Sequence, residues 1–195
     1  PEPGTMPSAS TVRFSEILPD AVGADNQQWP AGEWLELHNY GNTDVDLTGW
    51  KLQAASRSMT LHEYNMPLQS TPMLPAGDVV LIALNGTSSF YLKHTAADSI
   101  GLLDASGATV DTITWTRTVE GESLVPPNST HAGVGPNASN ATGDWILSAW
   151  STPGALNPVW PAYNGSVDLS ISEVLPYCND DSITPTEDWV EVHNT

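Results

Sequence analysis

The sequence predicts an all-β chain folded as an immunoglobulin-like two-sheet β-sandwich, and three observations carry that prediction. Short β-prone segments follow one another from Val12 to Trp115 with turn residues between them. None is long enough, or spaced at 3.6 residues, for an amphipathic helix. Their number, about seven, is what two facing sheets with a shared interior need.

Residues 1–11, PEPGTMPSAST, hold three prolines and no apolar periodicity, and read as a flexible lead-in. The segments VRFSEIL, EWLELHN, GWKLQA, SMTLHEY, DVVLIAL, SIGLLD and TVDTITW then supply the strands. In EWLELHN, side chains alternate between faces, so Leu35 and Leu37 belong to the core and Trp34, Glu36 and His38 to the opposite face. In TVDTITW the same rule sets Val110, Thr112 and Thr114 against Thr109, Asp111, Ile113 and Trp115, and leaves the inward face open. DVVLIAL is apolar nearly throughout, as in a central strand covered on both sides or one whose outer face is shielded by a neighbouring loop. Asp104-Ala105-Ser106-Gly107 reads as a hairpin turn, Leu74-Pro75-Ala76-Gly77 as a turn before Asp78, and Asp46 as the fixed point of the turn into Gly49-Trp50. Residues 120–157, rich in Pro, Gly, Asn and Ser, predict a long ordered loop with a short closing strand. Together 12–157 form one sandwich, followed by a linker at 158–167.

Acidic residues outnumber basic ones 23 to 5, for a net charge of −18. Affinity for nucleic acid rests largely on Lys and Arg, so neither DNA nor RNA is an expected partner. Anionic membranes are disfavoured in the same way, and no apolar run reaches membrane-spanning length, so no direct membrane insertion is expected. The single cysteine, Cys178, permits no internal disulfide, and no Cys/His spacing for zinc occurs. Asn-x-Ser/Thr acceptors at Asn85, Asn128, Asn137, Asn140 and Asn164 favour an extracellular or cell-surface location.

The segment FSEILPD at 14–20 returns as ISEVLPY at 171–177, and EWLELHN at 33–39 returns as DWVEVHN at 188–194. Glu16 and Glu173 are 157 residues apart, Glu36 and Glu191 155. This long-period self-similarity predicts that 168–195 are the truncated first strands of a second repeat. Two strands alone bury little, so 168–195 are candidates for strand-mediated self-association.

The motifs SEILPD, GEWLELHN, Asp46-Leu47-Thr48-Gly49-Trp50-Lys51-Leu52, LPAGDVVLIAL, LLDASGATVDTITW, Gly121-Glu122-Ser123-Leu124 and STPGALN, in that order, make most of residues 12–157 resemble the lamin-tail domain in its prokaryotic secreted or surface form. The resemblance implies an immunoglobulin-like sandwich that accompanies nucleases, hydrolases or other surface repeats, and it implies no catalytic site. The basic surface behind the DNA contacts of nuclear lamin tails is absent, so that role does not carry over.

No Gly-x-Ser-x-Gly elbow is present, and Ser123 reads as a turn or capping hydroxyl. The five histidines stand singly along the chain and read as surface residues. His38 and His193 recur in the repeat, where Asn39 is expected to bond the backbone of a turn. Gly133-Val134-Gly135-Pro136 reads as a loop. Asp20, Asp25 and Glu33, beside the loop after the first strand, are the Ca²⁺ candidates, weighed against a solvated acidic face. Asp180, Asp181, Glu187 and Asp188 are their counterparts in the repeat. Trp34 and Trp50 read as packing residues.

The expected function is a noncatalytic extracellular or cell-surface module, structural, adhesive or protein-binding, in a larger repeat protein. Its expected partners are protein or glycan ligands and neighbouring repeat domains. The alternative is an accessory ligand-binding domain, taking glycan or a Ca²⁺-bridged ligand, of a secreted hydrolase or nuclease.

Overall fold

A computed structural model of the 195-residue chain describes residues 10–86, 90–127, 141–142, 145–156, 169–175 and 189–194, with backbone alone for 141–142 and the last two stretches. Gly133–Pro136, Trp160, Cys178, Asp180, Asp181, Glu187, Asp188 and the acceptors Asn128, Asn137, Asn140 and Asn164 lie outside the described residues. The chain divides into two compact units, Pro1–Val159 and Trp160–Thr195.

All seven segments read as β-prone contribute strands. These are β1 (Val12–Leu18), β2 (Trp34–Asn39), β4 (Lys51–Ala54), β5 (Arg57–Thr60), β7 (Val79–Ala83), β8 (Asp98–Leu103) and β9 (Thr109–Trp115). Between them lie the two-residue strands β3 (Val45–Asp46) and β6 (Met73–Leu74) and a single 3-10 turn, Glu63–Asn65. β10 (Ser123–Val125), β11 (Ala141–Thr142) and β12 (Trp145–Ser148) follow, then β13 (Leu169–Leu175) and β14 (Trp189–Asn194) in the second unit. No helix among the described residues is long and apolar enough to cross a membrane.

In the first unit, one sheet has the order β11-β12-β10-β1-β2-β7 and another the order β5-β4-β8-β9, with β3 paired to β6. The first sheet contributes Phe14, Ile17, Leu35, Leu37, Val80, Ile82, Leu124 and Leu147 to the core. The second answers with Leu52, Met59, Ile100, Leu102, Ile113 and Trp115. Burying a side chain of this size contributes about 1.5–3 kcal/mol, so this interior is the main stabilising element. The ambiguous face of β9 is settled: Ile113 and Trp115 point inward, Thr112 and Thr114 outward.

The turns form as their residues require. Asp46 Oδ1 accepts from Thr48 N and Oγ1 at 2.9 and 2.6 Å, ahead of Gly49 at φ +77°. Asp104 Oδ1 accepts from Ser106 N and Ala108 N, closing the turn at Gly107, φ +88°. Asn39 Nδ2 donates to Thr43 O and Leu74 O, bonding the backbone as expected.

The face of β2 opposite the leucines departs from a solvated strand face. Trp34 is 2% exposed and Glu36 fully buried, and His38 is half-buried. Trp34, Leu81, Ala83 and Val125 are buried without joining the main core, so the first sheet is covered on both faces. Ser123 is likewise no surface turn residue but a fully buried member of β10.

Candidate functional site

β1 and β2 pair antiparallel with a bulge between Phe14 and Glu16, which brings Glu16 opposite Glu36. Both are fully buried. Two carboxylates this close cannot both be ionised cheaply, and burial, reinforced by Glu16, pushes the Glu36 carboxyl up to about 8. Ser15 Oγ donates to Glu36 Oε1 at 2.6 Å, and Ser123 Oγ to Glu16 Oε1 at 2.6 Å. Further donors come from the segment after β12. Thr152 donates through N and Oγ1 to Glu16 Oε2 at 3.1 and 2.9 Å, and Gly154 N to Glu36 Oε2 at 2.9 Å. Gly154 sits at φ +77°, where a Cβ would also overlap the Leu68 side chain. The glutamate pair thus clasps Ser151-Thr152-Pro153-Gly154 against the outer face of the sheet.

At the end of β1, the Ca²⁺ candidates divide. Asp20 and Asp25, both half-buried, come together with His94 so that one potential ligand atom from each lies within 4.8 Å of the others. His94 Nδ1 is 3.0 Å from Asp25 Oδ2. His94 is therefore not the isolated surface histidine that its place in the sequence implied. One oxygen of each aspartate is held from behind: Asp20 Oδ2 accepts from Thr118 Oγ1 at 3.0 Å and Asp25 Oδ1 from Ala21 N at 2.9 Å.

Glu33 is directed elsewhere. It is 5% exposed, and both of its oxygens accept from Leu92 N at 3.2 Å. Burial, with the charges of Asp25 and Asp20 adding to it against the Leu92 hydrogen bond, pushes its carboxyl up to about 8. Glu33 braces the loop that carries His94 and lines, with Asp25, His94 and Tyr91, a cavity of about 130 Å³.

That loop is fixed at several further points. Arg57 from β5 makes a buried ion pair with Asp98 at 2.6 Å, donates to Tyr91 O, and lies over the Tyr91 ring at 4.4 Å. Trp115 Nε1 donates to Lys93 O at 2.8 Å, and Thr118 Oγ1 lies 2.9 Å from His94 O. Nothing in the residues around His94 announces this placement, because its anchors lie just before β2, in β5, in β9 and in the stretch after β9.

Asn85, the glycosylation candidate within the described residues, has its amide engaged. Its Oδ1 accepts from Trp29 N at 3.0 Å and its Nδ2 donates to Tyr64 O at 3.2 Å.

Two antiparallel sheets closed over an apolar interior, with polar clusters confined to one sheet face and one end, define an immunoglobulin-like binding or structural module, a class that is generally noncatalytic. The chain belongs to the lamin tail domain family, whose sequence pattern it matches over residues 5–117, more than half its length. No curated protein matches it. The family match ends before β10, so the serine and the closing segment that complete the glutamate clasp lie beyond the matched residues.

Proposed function

We propose that this chain is an extracellular or cell-surface structural, adhesion or protein-binding module of a larger repeat protein, engaging protein or glycan ligands and neighbouring repeats. The supporting observation is in the second unit. β13 and β14 pair with Glu173 opposite Glu191 and a bulge between Ile171 and Glu173, the register and irregularity of β1 and β2. Among the described residues this unit is a two-stranded sheet, and on this reading it offers a sheet edge to another chain, with self-association through 168–195. Light scattering coupled to size exclusion tests this: the full chain assembles, and deletion of 168–195 leaves a monomer. An oligomer unchanged by the deletion refutes assembly through those strands. For location, an antibody against the chain labels intact cells; labelling only after permeabilisation counts against the surface reading.

A second reading, an accessory domain taking a cation-bridged ligand, is favoured by the approach of Asp20, Asp25 and His94. The imidazole shifts the preference from Ca²⁺ towards zinc-like ions, since Ca²⁺ takes oxygen ligands almost exclusively. Calorimetric titration of the chain with Zn²⁺ and with Ca²⁺ tests it: Zn²⁺ binds, and Asp25→Asn or His94→Ala removes the heat. Equal heats in the variants sink this reading.

A further inference from the structure

We propose that the groove between the Thr48-Gly49 turn and the 3-10 turn at Glu63–Asn65 is a sugar-binding site, with the Tyr64 ring as its stacking platform, for an uncharged oligosaccharide of all-equatorial hexoses. The proposal rests on the glycan-binding part of the module reading above and gives it a place and a sugar class.

The groove has a volume of about 550 Å³, in the range of small-ligand sites. Leu61 and Pro72 give it an apolar wall, and Thr48, Thr60 and Glu63 line it with oxygen. Tyr64 is 66% exposed, so its ring adds little to the interior. The ring lies nearly parallel to that of His62, 16° apart with centroids at 5.1 Å, and the imidazole braces it. The backbone beneath is pinned. Asn65 N donates to His62 O and Met66 N to Glu63 O, each at 2.9 Å, and Asn65 and Met66 are fully buried. Asn65 Nδ2 donates to Ala83 O and Asn85 Nδ2 to Tyr64 O, each at 3.2 Å. An exposed ring on a fixed turn loses little freedom when a ligand settles on it.

The polar groups decide what settles. Thr48 Oγ1 donates its hydrogen to Asp46 Oδ1 at 2.6 Å, so towards the groove it is an acceptor, as is the Glu63 carboxylate. A matching ligand therefore brings donors. Among the described residues no lysine or arginine lines the groove, and the chain carries a net charge of −18, so an anionic ligand is repelled. A basic peptide also brings donors, but one exposed carboxylate holds an ammonium group weakly in salt. A hexose whose hydroxyls are all equatorial meets both demands. Its axial C–H groups form a flat apolar face for the negative face of the Tyr64 ring, and the hydroxyls around its rim donate to Thr48 and Glu63.

The test uses the full 195-residue chain and cellotetraose, a neutral oligomer of all-equatorial glucose. A titration followed by amide NMR shows saturable shifts at Thr48, Gly49 and residues 61–64, with the same affinity at low and high salt. Tyr64→Ala weakens binding about tenfold, whereas Tyr64→Phe, which keeps the ring, leaves it within about twofold. Glu63→Ala weakens it about fivefold. Both side chains are exposed, so the variants keep the parent's Tm. No shift up to the solubility limit of cellotetraose, binding that survives Tyr64→Ala, equal binding of the anionic oligogalacturonate, or saturation of the groove by oligolysine in preference to the sugar would each overturn the site. A chain whose self-association depends on 168–195 yet ignores cellotetraose keeps the module reading and loses this one.

Discussion

Two carboxylate clusters stand on the same strand pair and meet different fates. Glu16 and Glu36, in the middle of β1 and β2, are fully buried and receive donors from Ser15, Ser123, Thr152 and Gly154. Asp20 and Asp25, past the end of β1, are half-buried and lie near an imidazole that is 39% exposed, with Asp25 Oδ2 3.0 Å from its Nδ1. Where the protein supplies the donors, carboxylates become part of the fold and hold a distant segment in place. Where they lie near the surface beside a histidine, they hold no distant segment and stand as the candidate cation site.

Removing the buried partner has the largest effect. Glu16→Ala strands the hydroxyl of buried Ser123 and frees half-buried Thr152, and urea unfolding shows a loss of about 3–5 kcal/mol. A loss below about 1 kcal/mol would erase the distinction between the clusters. Next comes pH. Glu33 and Glu36 are both raised from 4.5 to about 8, so the native state binds more protons than the unfolded chain across that window. Their contribution to stability is fully present below about 4.5 and is lost as pH rises through 8. Glu36→Gln removes about 1.4 kcal/mol per pH unit from that slope, read from unfolding curves at a series of pH values. An unchanged slope would place the proton elsewhere.

Thr152→Val keeps the backbone donor and deletes the hydroxyl, and costs about 1–2 kcal/mol in the same assay. Accelerated amide exchange of Gly154 in this variant sharpens the assignment of the clasp to the closing segment. His94→Ala has the smallest effect. Its contact with Asp25 is partly exposed, so without added cation the loss stays below about 1 kcal/mol. On the cation-binding reading, Zn²⁺ raises the Tm of the parent chain and leaves that of this variant unchanged. A larger loss in the apo protein would move this cluster into the structural class with Glu16 and Glu36.

The strands, the inward leucines of β2 and the turns at Asp46 and Asp104 were legible because each depends on neighbours within a few residues. The outer face of β2 was not. Period-two alternation assigns Glu36 to the face opposite Leu35 and Leu37, but its cover includes Gly154, 118 residues away. Ser123 looked like a turn hydroxyl for the same reason, since its acceptor is Glu16, 107 residues earlier. At the candidate cation site, the two aspartates were readable from the acidic loop after β1. His94 was not, because Arg57, Glu33, Trp115 and Thr118 place its loop from three separate parts of the chain.

By itself the sequence determined the all-β class, the acidic exterior and the self-similarity of residues 14–39 and 171–194, all properties of composition, period and repetition. Only the tertiary structure decided which carboxylates are sealed inside and which meet an imidazole near solvent. Burial and hydrogen-bond supply depend on what packs over a residue, and in a sandwich that cover arrives from strands and loops far along the chain.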